Sequence, residues 1–343
     1  MDLLNYKHLK INNLNCSETL KKNIDFFLKN WFSEEKYTQI KTSGSTGIPK
    51  ILDISKEKML HSAKMTCNFL QLSPNNTALL CLPIEYISGK MMLVRALYRG
   101  LHIVVTTPSV TPLEDLKEKI DFCAMTPLQV ENSLDKIHLI NKLIIGGASV
   151  SESLKVRIRE VLPPDSQTKI YETYGMSETL SHIALKQIFP QDETYFTILE
   201  NIKISQDNRG CLCIEAPKLV DNTLVTNDLV EIKNQQQFRF LGRVDNVINS
   251  GGAKIFPEEL EKIVKKHIPN EVVFLGLPDE KLGNKLVLIV EGEESIDLKN
   301  IIFGIHFEKS FHKPKDIIFV NKIPRTSNGK VQRNELRTNL IQK

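Results

Sequence analysis

Apolar positions in the first half of the chain follow two alternating spacings. Leu20, Ile24, Phe27, Leu28 and Trp31 recur three or four residues apart, as on one face of a helix, and Ser17 stands where such a helix needs a cap. Short apolar runs then alternate with further helical stretches. Strands are expected at 37–43 and 51–55, on either side of a Ser/Thr/Gly loop, and at 76–83, 101–107, 142–148 and 169–175. Helices are expected at 56–72, at 89–100 (ended by Gly100), at 113–120, and at 151–162 with Ser151 as cap. Strands alternating with helices imply βαβ units and a mostly parallel sheet.

From about Thr197 the pattern changes. Residues 196–205, 210–216, 223–232 and 238–250 form short strand-like runs with turns between them, as in an antiparallel sheet or barrel. A helix at 257–268, strands at 271–279 and 285–292 and a closing segment at 316–340 suggest a small α+β unit. The expected fold class is α/β. A large N-terminal domain of α/β layers with a small β-barrel-like part spans 1–243, and a small α+β C-terminal domain spans 244–343.

Length supports that division, since 343 residues exceed what one core usually serves. Charge narrows the function. The 45 basic and 41 acidic residues leave a net charge of only +4, and the basic residues are spread out, which argues against a nucleic-acid binder. The first sixteen residues lack the apolar core of a secretory signal, and no apolar run is long enough to span a bilayer. Six scattered cysteines without a C-x-x-C pair are expected to be buried thiols in a reducing, cytoplasmic setting.

The candidate chemistry begins with "KTSGSTGIPK", Lys41 to Lys50. Glycines let backbone N–H groups close on an anion, while hydroxyls and lysine add donors and charge. The stretch is not a Walker-type P-loop, because Pro49 precedes Lys50 and a strand rather than a helix follows. Alone, a phosphate cradle and a polar loop both fit it. Four further segments decide between them. "TSGSTGIPK", "YETYGMSET" at 171–179, "TNDLVEI" with "FRFLGRVDNVINSGGAKIFPEELE", and "IPRTSNGKVQR" resemble, in order, the motifs of the adenylate-forming superfamily of acyl-CoA synthetases, luciferases and adenylation domains. The resemblance runs from Thr42 to Arg333. Within the superfamily, "YGMSETLSHIALK" and "LPIEYISGKMMLVRAL" are most similar to the short o-succinylbenzoate–CoA ligases of menaquinone synthesis.

The resemblance implies a role for each matching residue. Thr42, Ser43, Gly44, Ser45, Thr46, Gly47 and Lys50 would hold the β- and γ-phosphates of ATP. Gly146, Gly147 and Ala148 would line the adenine and acyl pockets. Tyr174, followed by Gly175, would stack on adenine. Ser177 would donate to the α-phosphate, and Glu178 would hold Mg²⁺, a hard cation suited to carboxylate and phosphate oxygens. Asp228 would accept from both ribose hydroxyls, with Arg243 in support. Lys330 would be the catalytic lysine that stabilises charge at the α-phosphate. Lys254 would face the pantetheine of CoA, and Asp245 would be the hinge about which the C-terminal lid turns. Lys90, Arg95 and His182 are candidates for recognising a second carboxylate. The sequence departs from the family at Asn227, where Gly is usual, and at Tyr86, near a usual His. Only 41 residues precede Thr42, so a second subunit, as in a homodimer, is an expectation for completing the site.

The implied activity is an ATP- and Mg²⁺-dependent acid–CoA ligase, with 2-succinylbenzoate as the acid. The alternatives are another carboxylic acid or a catalytically silent nucleotide-binding regulator.

Overall fold

The computed structural model describes residues 10–41, 51–325 and 331–342. The phosphate-loop residues Thr42 to Lys50 and the lysine Lys330 lie outside them.

β1 (Ile11–Asn15) leads into α1 (Glu18–Trp31), and β2 (Tyr37–Lys41) pairs with β3 (Ile51–Ser55) in a separate antiparallel hairpin. α2 (Lys56–Phe69), β4 (Thr77–Leu80), α3 (Ile87–Arg99), β5 (His102–Thr106) and β6 (Ile120–Met125) follow. Next come α4 (Pro127–Glu131), β7 (Ile140–Ile145), α5 (Glu152–Val161) and β8 (Lys169–Gly175). The helix starts are capped as the sequence suggests: Ser17 Oγ accepts from Leu20 N–H at 3.2 Å, and Ser151 Oγ from Leu154 N–H at 3.1 Å.

β1, β5, β4, β6, β7 and β8 lie side by side and parallel. Strand side chains alternate between faces, so each face builds its own core. Ala78, Leu80, Phe122 and Ala124 face α1, α2 and α3, whose Trp31, Met59 and Met92 are buried there. Leu79, Cys81, Cys123 and Met125 face the other way, onto Leu154 and Ile158 of α5.

The antiparallel half is the continuation of the same sheet. β9 (His182–Phe189), β10 (Phe196–Ile198), β11 (Lys203–Gln206), β12 (Cys211–Glu215), β13 (Leu224–Asn234) and β14 (Gln237–Arg243) extend it to twelve strands among the described residues, in the order β8-β9-β10-β14-β13-β12-β11. The change of direction therefore comes at His182, earlier than the expected Thr197.

A single 3₁₀ turn, Val244–Asn246, leads to the hairpin of β15 (Ile248–Ser250) and β16 (Ala253–Ile255). Gly251 and Gly252 form its tip with φ of 55° and 82°, a conformation that side-chain-bearing residues avoid. α6 (Pro257–Val264), β17 (Val272–Asp279), β18 (Gly283–Glu291), α7 (Ile296–Gly304), β19 (Asp316–Val320) and α8 (Arg333–Ile341) complete the chain. Their sheet has the order β17-β18-β19. Alternation again splits the core: Phe274 and Leu288 pack toward α6, and Leu275 and Ile289 toward Leu336 of α8. Among the described residues, the cores before residue 244 and after residue 247 share no buried apolar residue.

Three expectations are corrected. Residues 113–120 are a turn and an extended lead-in rather than a helix. Leu113 and Leu116 supply only one buried turn, Lys117, Glu118 and Lys119 are exposed, and Ile120 is taken by β6, where it pairs with Ile140. The helix expected over 257–268 ends at Val264. β1, β6, α4, β9 and α7 were not anticipated: "INNLN" carries no alternation, and β1 depends on its partner β5.

All six cysteines are free thiols, five of them buried. Among the described residues no helix is long and apolar enough to cross a membrane.

Candidate active site

Parallel α/β sheets place their ligands at the carboxyl ends of the strands. Five of the sequence-derived candidates lie there. Gly146, Gly147 and Ala148 follow β7, and Tyr174 and Gly175 end the neighbouring β8.

Tyr174 is the hub. Its ring meets Phe238 edge-on at 5.0 Å and also packs on Phe196 and Phe240. Its hydroxyl donates to Asp228 Oδ2 at 2.6 Å. Burial, then the Asp228 carboxylate, push the phenol pKa far up, so the hydroxyl keeps its proton and remains a donor. Asp228 and Arg243 face each other across the β13–β14 ladder, and Arg243 Nη1 donates to Asp228 Oδ1 at 3.1 Å. Arg243 Nη2 also donates to Asp245 Oδ2 at 2.9 Å. The ribose candidates and the hinge candidate thus form one connected cluster.

Asn227 joins that cluster. Its amide lies 3.3 and 3.4 Å from the two Asp245 oxygens, and its carbonyl accepts from Arg209 Nη1 at 3.0 Å. Arg209 was missed by sequence reasoning: besides the local Asp207 at 2.8 Å, it reaches Asn227 and Thr226 on the distant β13.

Ser177 and Glu178 lie on a 3₁₀ turn, Ser177–Thr179, directly after β8. Both are exposed, and among the described residues neither side chain has a hydrogen-bonding or ionic partner. An open carboxylate beside a free hydroxyl is an oxygen donor set that would suit a Mg²⁺. Lys254 stands exposed on β16 and, among the described residues, is not joined to this cluster.

A second cluster begins two residues further on. Leu180 has φ 65° and ψ −48°, and Ser181 N–H donates to the Thr179 carbonyl at 2.7 Å, the geometry of a strained γ-turn. This turn aims the Ser181 hydroxyl at Arg95, whose Nη2 donates to it at 2.9 Å. Arg95 is only 2% exposed, and among the described residues it forms no ion pair, while its Nε lacks a partner. Burial pushes its pKa down to about 10, so it remains charged at neutral pH. His182 is also buried, between Ser181 Oγ at 3.4 Å and Thr66 Oγ1 at 3.0 Å. Burial, then Arg95, hold its pKa well below the ordinary histidine range. The sequence pointed to Arg95 and His182 but not to Thr66, which sits one turn after Ser62 on α2. Lys90 is turned elsewhere, donating to the Ile84 carbonyl at 2.8 Å.

Arg333, three residues past Lys330, grips Glu261 through both terminal nitrogens at 2.7 Å. It ties α8 to α6 and β17.

This fold and this strand-end cluster are those of an adenylate-forming enzyme. The family of AMP-binding enzymes matches residues 30–202, half of the chain, and the chain belongs to that family. A solved protein from Dyadobacter fermentans, described as an acyl-CoA synthetase (AMP-forming)/AMP-acid ligase II-like protein, is 34% identical; the match covers 94% of this chain and 95% of that one, with a TM-score of 0.63. The 2-succinylbenzoate–CoA ligase of Listeria monocytogenes is 26% identical over 90% of this chain and 71% of its own length. The solved O-succinylbenzoate coenzyme A synthetase of Bacillus subtilis, in complex with ATP and magnesium, is 21% identical with a TM-score of 0.71, covering 87% of this chain and 69% of that one.

Proposed function

We propose that the protein is an AMP-forming acid–CoA ligase acting on 2-succinylbenzoate, in a reducing, cytoplasmic setting. The acid's carboxylate attacks the α-phosphorus of ATP, giving an acyl-adenylate and pyrophosphate. CoA thiolate then attacks the acyl carbon and AMP leaves, a far better leaving group than oxide. In this reading Asp228, oriented by Tyr174 and Arg243, accepts from the ribose hydroxyls. Ser177 donates to the α-phosphate, and Glu178 holds Mg²⁺, which neutralises phosphate charge when bound. Thr42 to Lys50 retain the departing pyrophosphate, and Lys330 stabilises charge between the α-phosphate and the acid.

We place the domain division at residues 243 and 244. Turning about Asp245 would exchange Lys330 for the Gly251–Gly252 loop with Lys254, so that CoA is admitted in the second step.

The observation that carries the choice of acid is Arg95, a buried cation with no acidic partner among the described residues, whose Nη2 donates to Ser181 just before β9. A substrate with two carboxylates presents one for activation and one for such a cation. The 2-succinylbenzoate–CoA ligases among its relatives support the same choice. Pyrophosphate release should be screened over a panel of mono- and dicarboxylic acids with ATP and Mg²⁺. Release with 2-succinylbenzoate above all others supports the proposal, and preference for a monocarboxylic acid refutes it.

A further inference from the structure

Thr66, Ser181, His182 and Arg95 come from α2, the turn before β9, β9 and α3, and form one buried hydrogen-bonded chain. Its direction follows from counting hydrogens. The Thr66 hydroxyl has one, and donates it to the Ser62 carbonyl at 3.1 Å. Its oxygen, 3.0 Å from His182 Nε2, must then accept, so His182 carries its hydrogen on Nε2. Nδ1 is left as an acceptor facing Ser181 Oγ at 3.4 Å. The Ser181 hydroxyl donates to it, and its lone pairs turn to Arg95 Nη2 at 2.9 Å.

We propose that Thr66 and His182 are positioning residues: they lock His182 as the neutral Nε2–H tautomer, aim the Ser181 oxygen at Arg95, and so set one fixed, singly charged receptor for the non-reacting carboxylate. This rests on the reading of Arg95 given above. Three features support the lock. Every member of the chain is at least nine-tenths buried or held by a buried partner, so an unmade bond would be costly. The γ-turn at Leu180 is strain at the position that points Ser181 toward Arg95. A protonated His182 would put a second cation beside Arg95 and take away the acceptor that Ser181 needs, and burial and Arg95 both oppose it.

The test compares Thr66→Val, Thr66→Ser, His182→Phe and Arg95→Lys with two acids, 2-succinylbenzoate and an analogue whose non-reacting carboxylate is replaced by hydrogen. Thr66→Val and His182→Phe should raise KM for 2-succinylbenzoate about tenfold, equivalent to ~1.4 kcal/mol, with KM for ATP and the rate with the monocarboxylic analogue unchanged. Thr66→Ser should restore the wild-type KM. The ¹⁵N shifts of the His182 ring in the wild-type protein at neutral pH should report a neutral Nε2–H imidazole, a readout that needs no variant to fold. An Nδ1–H tautomer or an imidazolium would overturn the proposal. So would wild-type discrimination between the acids in Thr66→Val and His182→Phe while Arg95→Lys loses it, and in that case the reading of Arg95 stands. Unchanged discrimination in Arg95→Lys would remove that reading, and this inference with it.

Discussion

Tyr174 and Asp228 are joined by a 2.6 Å hydrogen bond although they lie 54 positions apart in the chain. The bond links β8, the last parallel strand of the sheet, to β13 in the antiparallel half, and it orients a carboxylate that Arg243 holds from the other side. Hydrogen bonds to charged groups contribute about 1.5–3 kcal/mol. Asp228→Asn should therefore raise KM for ATP by roughly tenfold to a hundredfold, and Tyr174→Phe by about tenfold, with KM for CoA nearly unchanged. Arg243→Met should have the smaller effect, because that side chain is 48% exposed and its ion pair is screened. Steady-state kinetics of pyrophosphate release checks the order of the three variants.

At Gly175 the backbone of β8 lies tight against the start of β9. A Cβ there would lie 2.5 Å from the Cα of His182 and 2.6 Å from the Ser181 carbonyl oxygen. Both are backbone atoms, so the strands must separate. Gly175→Ala should cost about 2–3 kcal/mol, in the range of overpacking, read as a lower midpoint in urea denaturation. An unchanged midpoint would contradict the close approach.

Much of the organisation was legible in the sequence because local physics decided it. Ser17 and Ser151 cap the helices they precede, and "TALL" is apolar enough to be a buried strand. The segment 113–120 misled because its two leucines share a helical spacing with Ile120, whereas the strand pairing of Ile120 is a long-range fact. The site was legible in the same uneven way. Tyr174, Asp228 and Arg243 were found one by one through their motifs. Their mutual bonds, the Arg209–Asn227–Asp245 link and the part played by Thr66 depend on contacts across 15 to 116 positions, which no local pattern encodes.

His182 gives stability a pH dependence of known sign. Its folded pKa lies well below the ordinary value through burial and then through Arg95. Below about pH 6.5 the unfolded chain takes up a proton there that the folded chain refuses. The stabilisation is complete above that pH and is lost as pH falls, by up to ~1.4 kcal/mol per unit, until the folded pKa is reached. Melting temperatures from pH 7 to 5 should fall more steeply for the wild type than for His182→Gln. Parallel curves would contradict the assignment.

Arg333 and Glu261 form a largely buried pair, with side chains 14% and 12% exposed. Burial pushes the Glu261 carboxyl pKa up even though Arg333 opposes the shift. Arg333→Met would leave that carboxyl without its partner and should destabilise the unit after residue 247 by about 3 kcal/mol. Hydrogen exchange should show faster opening of β17 and α8, with the twelve-stranded sheet unaffected. Uniform protection throughout would mean that the pair does not hold α8 in place.

The central claim is that this chain joins 2-succinylbenzoate to CoA through an adenylate. Its most direct test is to incubate the protein with 2-succinylbenzoate, ATP, Mg²⁺ and CoA and to measure the product by mass. The account predicts the 2-succinylbenzoyl thioester of CoA together with AMP and pyrophosphate. AMP and a thioester from a different acid, with none from 2-succinylbenzoate, would contradict the choice of substrate, and no thioester from any acid would contradict the ligase itself.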